Sequence, residues 1–268
     1  MQSRPHTYLF YIQYLGLRYS GWQRQKGVKT IQGSLERGIR YVLGHEDFTI
    51  LGASRTDAGV SCNRGAFELF LKHPLETNDF IYDLNMNLPA DIRVLEGDSV
   101  PLDFNIIQDV MWKEYHYHFA IGNKFHPFLA GTLSFFPGDY DLDLMREGAK
   151  VFIGTQDFRR FCSIDKFTDN FVRTVFESSL DIHPRAEQGD IPKNSLVFKI
   201  KGDGFLRYQV RIMIAALVDL GSGKLSLEQI KEAINEPDAK PVAMTAPSNG
   251  LVLWDLAFRK NQSFTLHS

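Results

Sequence analysis

Gly52-Ala53-Ser54-Arg55-Thr56-Asp57-Ala58-Gly59-Val60 sets one acidic residue between an arginine and a glycine, and its flanks decide how the chain is built. Upstream, Phe48 to Ala53 is short and β-rich. Downstream, Arg64 to Leu71 places Phe67, Leu69 and Leu71 at every second position. Both patterns predict strands, so Asp57 belongs to the loop that joins them. Loops on a rigid sheet are where reactive side chains collect, and an aspartate beside Arg55 suits a nucleophile or base. An Asx turn, with Gly59 supplying a positive φ, is the structural alternative for the same residues.

A chain of 268 residues, 44% hydrophobic and 23% charged, buries a sizeable core as one large domain or two packed halves. No apolar run reaches membrane-spanning length, and Met1-Gln-Ser-Arg-Pro-His6 lacks an apolar signal core, so the expected location is the cytosol. Cys62 and Cys162 form no C-x-x-C pair and are expected to be reduced packing residues. The net charge of −2 is unlike a nucleic-acid binder, but its distribution is uneven. Arg4, Arg18, Arg24, Lys26, Lys29, Arg37 and Arg40 face a single acid, Glu36, in the first forty residues. Within that stretch, Arg18 to Lys26 interleaves Tyr19 and Trp22 with Arg18, Arg24 and Lys26, a mixture that neutralises phosphates while bases stack.

In chain order, His6 to Tyr14 predicts a central strand and Gly16 a turn. Ile31, Leu35, Ile39 and Val42 predict a helix capped by Thr30 and stopped by Gly44. Asn85 to Pro89 reads as a connection, Asp91 to Val100 as extended, and a division between halves is expected near Phe104, giving 1–104 and 105–268. Val110 to Ile121 alternates, with Met111, Lys113, Tyr115, Tyr117 and Phe119 on one strand face. His116 and His118 lie on the other face; no further ligand stands at metal spacing, so no metal site is expected. A helix is predicted from Asp141 to Gly154, with Leu144, Gly148, Val151 and Phe152 inward. Asp157 to Asn170 carries Arg159, Arg160 and Lys166, and strands follow from Phe171 to His183 and Ser195 to Lys201. The longest helix is expected to open at Gly202-Asp-Gly-Phe-Leu-Arg-Tyr, with Val210, Ile214 and Leu217 inward and Arg207 and Arg211, four apart, projecting together. A last helix, Leu227 to Asn235, is capped by Ser226 and ends before Pro237, and Gly250 to Phe258 closes the chain as a strand.

Gly202-x-Gly204 begins like a dinucleotide fingerprint, but Arg207 stands at the third glycine; Gly223-Lys224 ends like a P-loop, but Leu225 replaces the hydroxyl residue. Neither holds. Strand runs with a few helices point to an α+β fold of two similar halves, each a mainly antiparallel sheet with helices on one side, packed around a central catalytic cleft.

Arg55-Thr56-Asp57-Ala58-Gly59-Val60, with Gly21-Trp22-Gln23-Arg24-Gln25 before it and Phe205-Leu-Arg-Tyr-Gln-Val-Arg211 after it, resembles the tRNA pseudouridine synthase A family. The likeness runs in order from Tyr14 to Phe258. It implies isomerisation of uridine to pseudouridine in the tRNA anticodon stem-loop by a homodimer, without metal or cofactor. Asp57 matches the catalytic aspartate, Arg55 the arginine that displaces the target base, Tyr115 the tyrosine that stacks on it, and Arg211 the partner of the carboxylate. Leu251 and Leu253 match an apolar floor under the base, and Arg18, Trp22, Arg24, Lys26 and Arg207 complete the expected substrate-binding set. Leu15, Ser54, Ser61 and Phe104-Asn-Ile-Ile107 depart from the family pattern without removing the chemistry. A non-catalytic tRNA-binding relative is the alternative; it has no need of an aspartate and arginine pair.

Overall fold

The computed structural model describes residues 4–164, 168–235 and 240–259, so Lys166 and Pro237 lie outside the described residues. The elements are β1 (His6–Tyr14), α1 (Ile31–Leu43), β2 (Phe48–Gly52), β3 (Ser61–Leu71), α2 (Thr77–Asn87), β4 (Ile92–Ser99) and β5 (Val110–Gly122). They continue with β6 (Ser134–Pro137), α3 (Leu142–Val151), β7 (Gly154–Asp157), β8 (Val172–Ile182), α4 (Pro184–Glu187), β9 (Ser195–Gly202), α5 (Gln209–Gly221), α6 (Leu227–Asn235) and β10 (Leu251–Phe258). This is the expected α+β class, with mainly antiparallel strands. By contact the chain forms two compact units, Met1–Ala58 with Cys62–Lys113 and Trp254–Ser268, and Gly59–Ser61 with Glu114–Leu253.

In the first unit β1 lies between β4 and β3, antiparallel to both. β3 changes partner along its length: Phe67 to Leu71 pair with β2, while Asn63 Nδ2 donates to the carbonyl of Trp254 in β10 at 3.0 Å. Phe10, Phe67, Phe80, Ile31, Leu35 and Ile39 are buried at the centre, with Phe10 stacked on Phe67 at 5.3 Å between ring centroids. α1 begins and ends as its sequence predicts. Thr30 Oγ1 accepts from the Gly33 amide at 3.2 Å, and Gly44 closes the helix at φ 72°, where a side chain is disfavoured.

Of the connection expected at Asn85 to Pro89, Asn85 to Asn87 form the end of α2, and Leu88 and Pro89 lie beyond it. Phe80 and Leu84 anchor this helix, and Asn85 leaves the usual side-chain role by exchanging two 2.8 Å hydrogen bonds with the backbone of Val94. Its polar composition hides the helical period.

The second unit orders its strands β5-β9-β8-β7, with β6 parallel to β5. Tyr117 and Phe119 of β5, Phe198 of β9, Met145, Ala149 and Phe152 beside α3, and Met213, Ile214 and Leu217 of α5 form one buried cluster. Two expectations need correction here. The inward face of α3 includes Met145 and Ala149 beside the expected Gly148, with Leu144 and Val151 half-buried against the same cluster, and the helix ends at Val151, before the expected Gly154. α5 begins at Gln209, seven residues later than expected, because Tyr208 takes a left-handed φ of 63°. Arg207 therefore precedes the helix. In α6 the predicted cap is present: Ser226 Oγ accepts from the Gln229 amide at 3.2 Å and Gln229 Oε1 from the Ser226 amide at 2.8 Å.

Candidate active site

The residues expected in the site fall in both units, and each group is built locally. In the first unit, β2 ends at Gly52 and the chain enters a loop that is fixed on either side of Arg55. The Ala53 amide donates to the Ala66 carbonyl at 3.0 Å, and its carbonyl accepts from Lys113 Nζ at 2.9 Å. Three residues on, Thr56 is buried; its Oγ1 shares a 2.8 Å hydrogen bond with Tyr14 Oη, and its carbonyl accepts from the Trp22 amide at 3.0 Å. Gly21 makes that approach possible, since at φ 91° a Cβ would stand 2.6 Å from the Thr56 oxygen. Arg55 is exposed and Asp57 half-buried between these anchors. The loop thus offers two polar side chains on a backbone whose neighbouring carbonyls and hydroxyl are already bonded, which fixes geometry before a substrate arrives.

Lys113 is the member of this loop's support that the sequence did not reveal. Burial lowers its pKa to about 8, yet its ammonium is directed at a carbonyl. The only cue was its place two residues before Tyr115 on the same strand face.

Trp22 is 3% exposed, and its indole fills the space over Gly52, where a Cβ would come within 2.4 Å of the ring. Its expected role as a stacking platform gives way to packing. Arg18 is turned to Asp91 through two hydrogen bonds of 2.9 and 2.6 Å, and Arg24 to Glu36 at 2.7 Å. Lys26 is exposed.

In the second unit, Tyr115 is half-buried and meets Phe205 edge-on, with 5.2 Å between centroids. Arg211 projects from the first turn of α5. Its Nε donates to the Ala246 carbonyl at 2.7 Å, and the Ala246 amide donates back to the Arg211 carbonyl at 3.1 Å. Arg207 and Arg211 do come together, though not as helix neighbours: their guanidiniums lie 4.8 and 5.2 Å from the centroid of the same ring, Tyr208. Beyond Ala246 the turn to β10 is bonded in place. Tyr117 Oη donates to the Pro247 carbonyl at 2.9 Å, and Asn249 Nδ2 donates to the carbonyls of Ala130 and Leu133 at 2.8 and 3.1 Å. Gly59 passes so close that a Cβ there would meet Ser248 Oγ at 2.5 Å. Leu251 and Leu253 are 6% and 2% exposed.

On the remaining face of β5, His116 is buried beside Glu114, with Nε2 2.7 Å from Oε1, and His118 lies 4.8 Å from the His183 ring. Burial lowers the pKa of all three histidines, to about 3 for His118. Among the described residues no group of three His, Cys, Asp or Glu is placed to hold a metal ion. Burial also pushes the Cys62 thiol up, and the residue serves the core.

A family model described as tRNA pseudouridine synthase matches residues 149–259. The chain is 35% identical over 246 residues to tRNA pseudouridine synthase A of Thermodesulfovibrio yellowstonii, covering 90% of this chain and 95% of the relative. The chain belongs to the tRNA pseudouridine synthase A family. The protein of that name from Exiguobacterium sibiricum is 34% identical over 251 residues, covering 94% of this chain and 96% of its own, and that from Streptococcus agalactiae serotype III is 30% identical over 254 residues, covering 95% and 96%. As a tRNA pseudouridine synthase A family member, the chain is similar to these relatives over 90–95% of its length. Among its described residues no helix is long and apolar enough to cross a membrane.

Proposed function

We propose that the chain isomerises uridine to pseudouridine in tRNA, in the anticodon stem-loop, with Asp57 as the essential carboxylate and no metal or cofactor. The reaction breaks the bond between C1′ and N1, turns the uracil, and joins C1′ to C5; C5 gives up its proton and N1 gains one, so atoms and electrons balance without an outside reagent. It asks for a fixed carboxylate, a means of extruding the nucleotide, and a surface that holds the detached base. The loop supports the first, because Asp57 follows directly on Thr56, which is bonded through both its hydroxyl and its carbonyl. Exposed Arg55 supplies a cation free of the core to displace the base. Tyr115 stacks on the uracil, Arg211 neutralises the carboxylate, and Leu251 and Leu253 form the apolar floor. The working unit is a cytoplasmic homodimer.

The carrying observation is the clamped presentation of Asp57 in a chain whose relatives bear the synthase name. Release of tritium from tRNA labelled at uridine C5 tests it. The purified protein is expected to release the label, and Asp57→Asn to stop release while tRNA still binds. Binding without release by the parent protein would instead identify a non-catalytic tRNA-binding relative.

A further inference from the structure

A cleft of about 220 Å³ opens in the first unit along α1, and three of its lining residues are Arg24, Arg37 and Arg40, against one acid, Glu36. Gly33, Arg37 and Arg40 recur at i, i+4 and i+7 along one stripe of the helix, while Ile31, Leu35 and Ile39 bury the other. Gly33 has no side chain to fill the end of that stripe, and Arg24 forms the facing wall. The end of the helix is not the source of the positive potential. Its first three amides are already bonded, Ile31 to the Gly21 carbonyl, Gln32 to the Trp22 carbonyl and Gly33 to Thr30 Oγ1. The guanidiniums are.

Their present partners leave most of that charge available. Exposed Arg24 meets half-buried Glu36 through one nitrogen, Arg40 meets Glu46 in an exposed pair that holds its partner weakly, and Arg37 Nη2 donates to a neutral hydroxyl, Ser34 Oγ, at 3.2 Å. A guanidinium carries five N–H donors in a fork that matches phosphate oxygens. Arg18 is differently placed: Asp91 accepts from both Arg18 Nε and Nη2 at 2.9 and 2.6 Å and from the Tyr19 hydroxyl at 2.6 Å, a two-point pairing that holds the guanidinium more firmly than the single contacts of Arg24 and Arg40.

We infer that this cleft seats a backbone phosphate of the RNA substrate, so that α1, more than the turn from Arg18 to Lys26, carries the electrostatic contact with RNA. The inference rests on the reading of the substrate as tRNA. Fluorescence anisotropy of labelled tRNA, titrated over sodium chloride, tests it with the parent, Arg37→Gln/Arg40→Gln and Arg18→Gln. Both positions on α1 are exposed, and thermal melting verifies that the double variant is folded. The slope of log K against log salt is expected to fall by about one in the double variant and to stay at the parent value in Arg18→Gln. Equal slopes in the parent and the double variant overturn the inference, as does a parent that does not bind tRNA. Competition by polyglutamate as strong as that by unlabelled tRNA also overturns it, in favour of an acidic protein partner. Tritium release by the same preparations separates the two readings. The double variant should keep kcat with KM raised about tenfold, whereas a parent that binds but releases no tritium refutes the isomerase and leaves the slope comparison to decide the cleft.

Discussion

Lys113 Nζ donates to the Ala53 carbonyl oxygen at 2.9 Å, tying the first residues of β5 to the start of the loop that carries Asp57. A buried ammonium facing a neutral acceptor is expensive to keep, and burial accordingly lowers its pKa from 10.5 to about 8. The sign follows: between pH 8 and 10.5 the unfolded chain holds a proton that the folded chain has released, so this group's contribution to stability rises with pH. Lys113→Met removes both the charge and the donor, and its melting temperature is expected to stay within a few degrees of the parent. Tritium release should nonetheless fall about tenfold, because the loop loses its anchor before Asp57. Lys113→Arg should recover most of the rate. A Met variant with parental kcat would reduce Lys113 to a packing residue.

Arg211 is expected to act on the carboxylate through charge. In the proposed reading Arg211 is the cation that favours the ionised carboxylate, and Arg211→Met removes it. The acidic limb of the pH–rate profile should then move upward, with kcat down on the order of a hundredfold and tRNA affinity nearly unchanged. Loss of the hydrogen bond to Ala246 should cost about 1 kcal/mol of stability. A rate loss with an unmoved acidic limb would show that Arg211 works by position alone.

Glu68 is 1% exposed in β3; its Oε2 accepts from the Ile106 amide at 3.3 Å, and its Oε1 has no hydrogen-bond partner. Burial raises its pKa from 4.5 to about 7, with the Ile106 amide pulling back and Asp109 adding to the rise. Here the folded chain binds the extra proton, so stability attributable to this group is full below pH 4.5 and lost as pH climbs through 7. Glu68→Gln keeps the acceptor and discards the ionisation. It should exceed the parent by about 1–3 kcal/mol at pH 8, the gap closing toward pH 5. Melting curves of the pair across that range decide it, and their difference cancels the opposite trend from the buried histidines, which lose stability as pH falls below 6.5.

What could be read from the sequence was whatever is specified within a few residues. The caps of α1 and α6, the β-branched and aromatic run of β1, the alternation of β5, and the loop around Asp57 all depend on neighbours in the chain. Trp22 was misread because its burial depends on Gly52, thirty positions away, whose missing side chain makes room for the indole. α2 was missed because Asn85 bonds the backbone of Val94 and so adds a polar residue to a helix anchored chiefly by Phe80 and Leu84. The late start of α5 has a similar cause: Phe-Leu-Arg-Tyr contains no helix breaker, and the positive φ of Tyr208 is not signalled by its neighbours. Lys113 stood on the predicted face of the predicted strand, but a sequence does not say which carbonyl a lysine will find.

Tyr208 is the only non-glycine among the described residues at a positive φ, a conformation costing about 1–3 kcal/mol that glycine would adopt without strain. Hardiness and work are opposed at that corner. A library at this position screened only for survival of heat should return glycine or asparagine, and the sturdier proteins should lose the ring on which Arg207 and Arg211 both rest. Screened instead for pseudouridine formation, the same library should return aromatic residues and melt earlier. The two selections would diverge at a residue with no assigned part in the chemistry, so an engineer seeking a more robust synthase should leave this strained tyrosine alone and look elsewhere for stability.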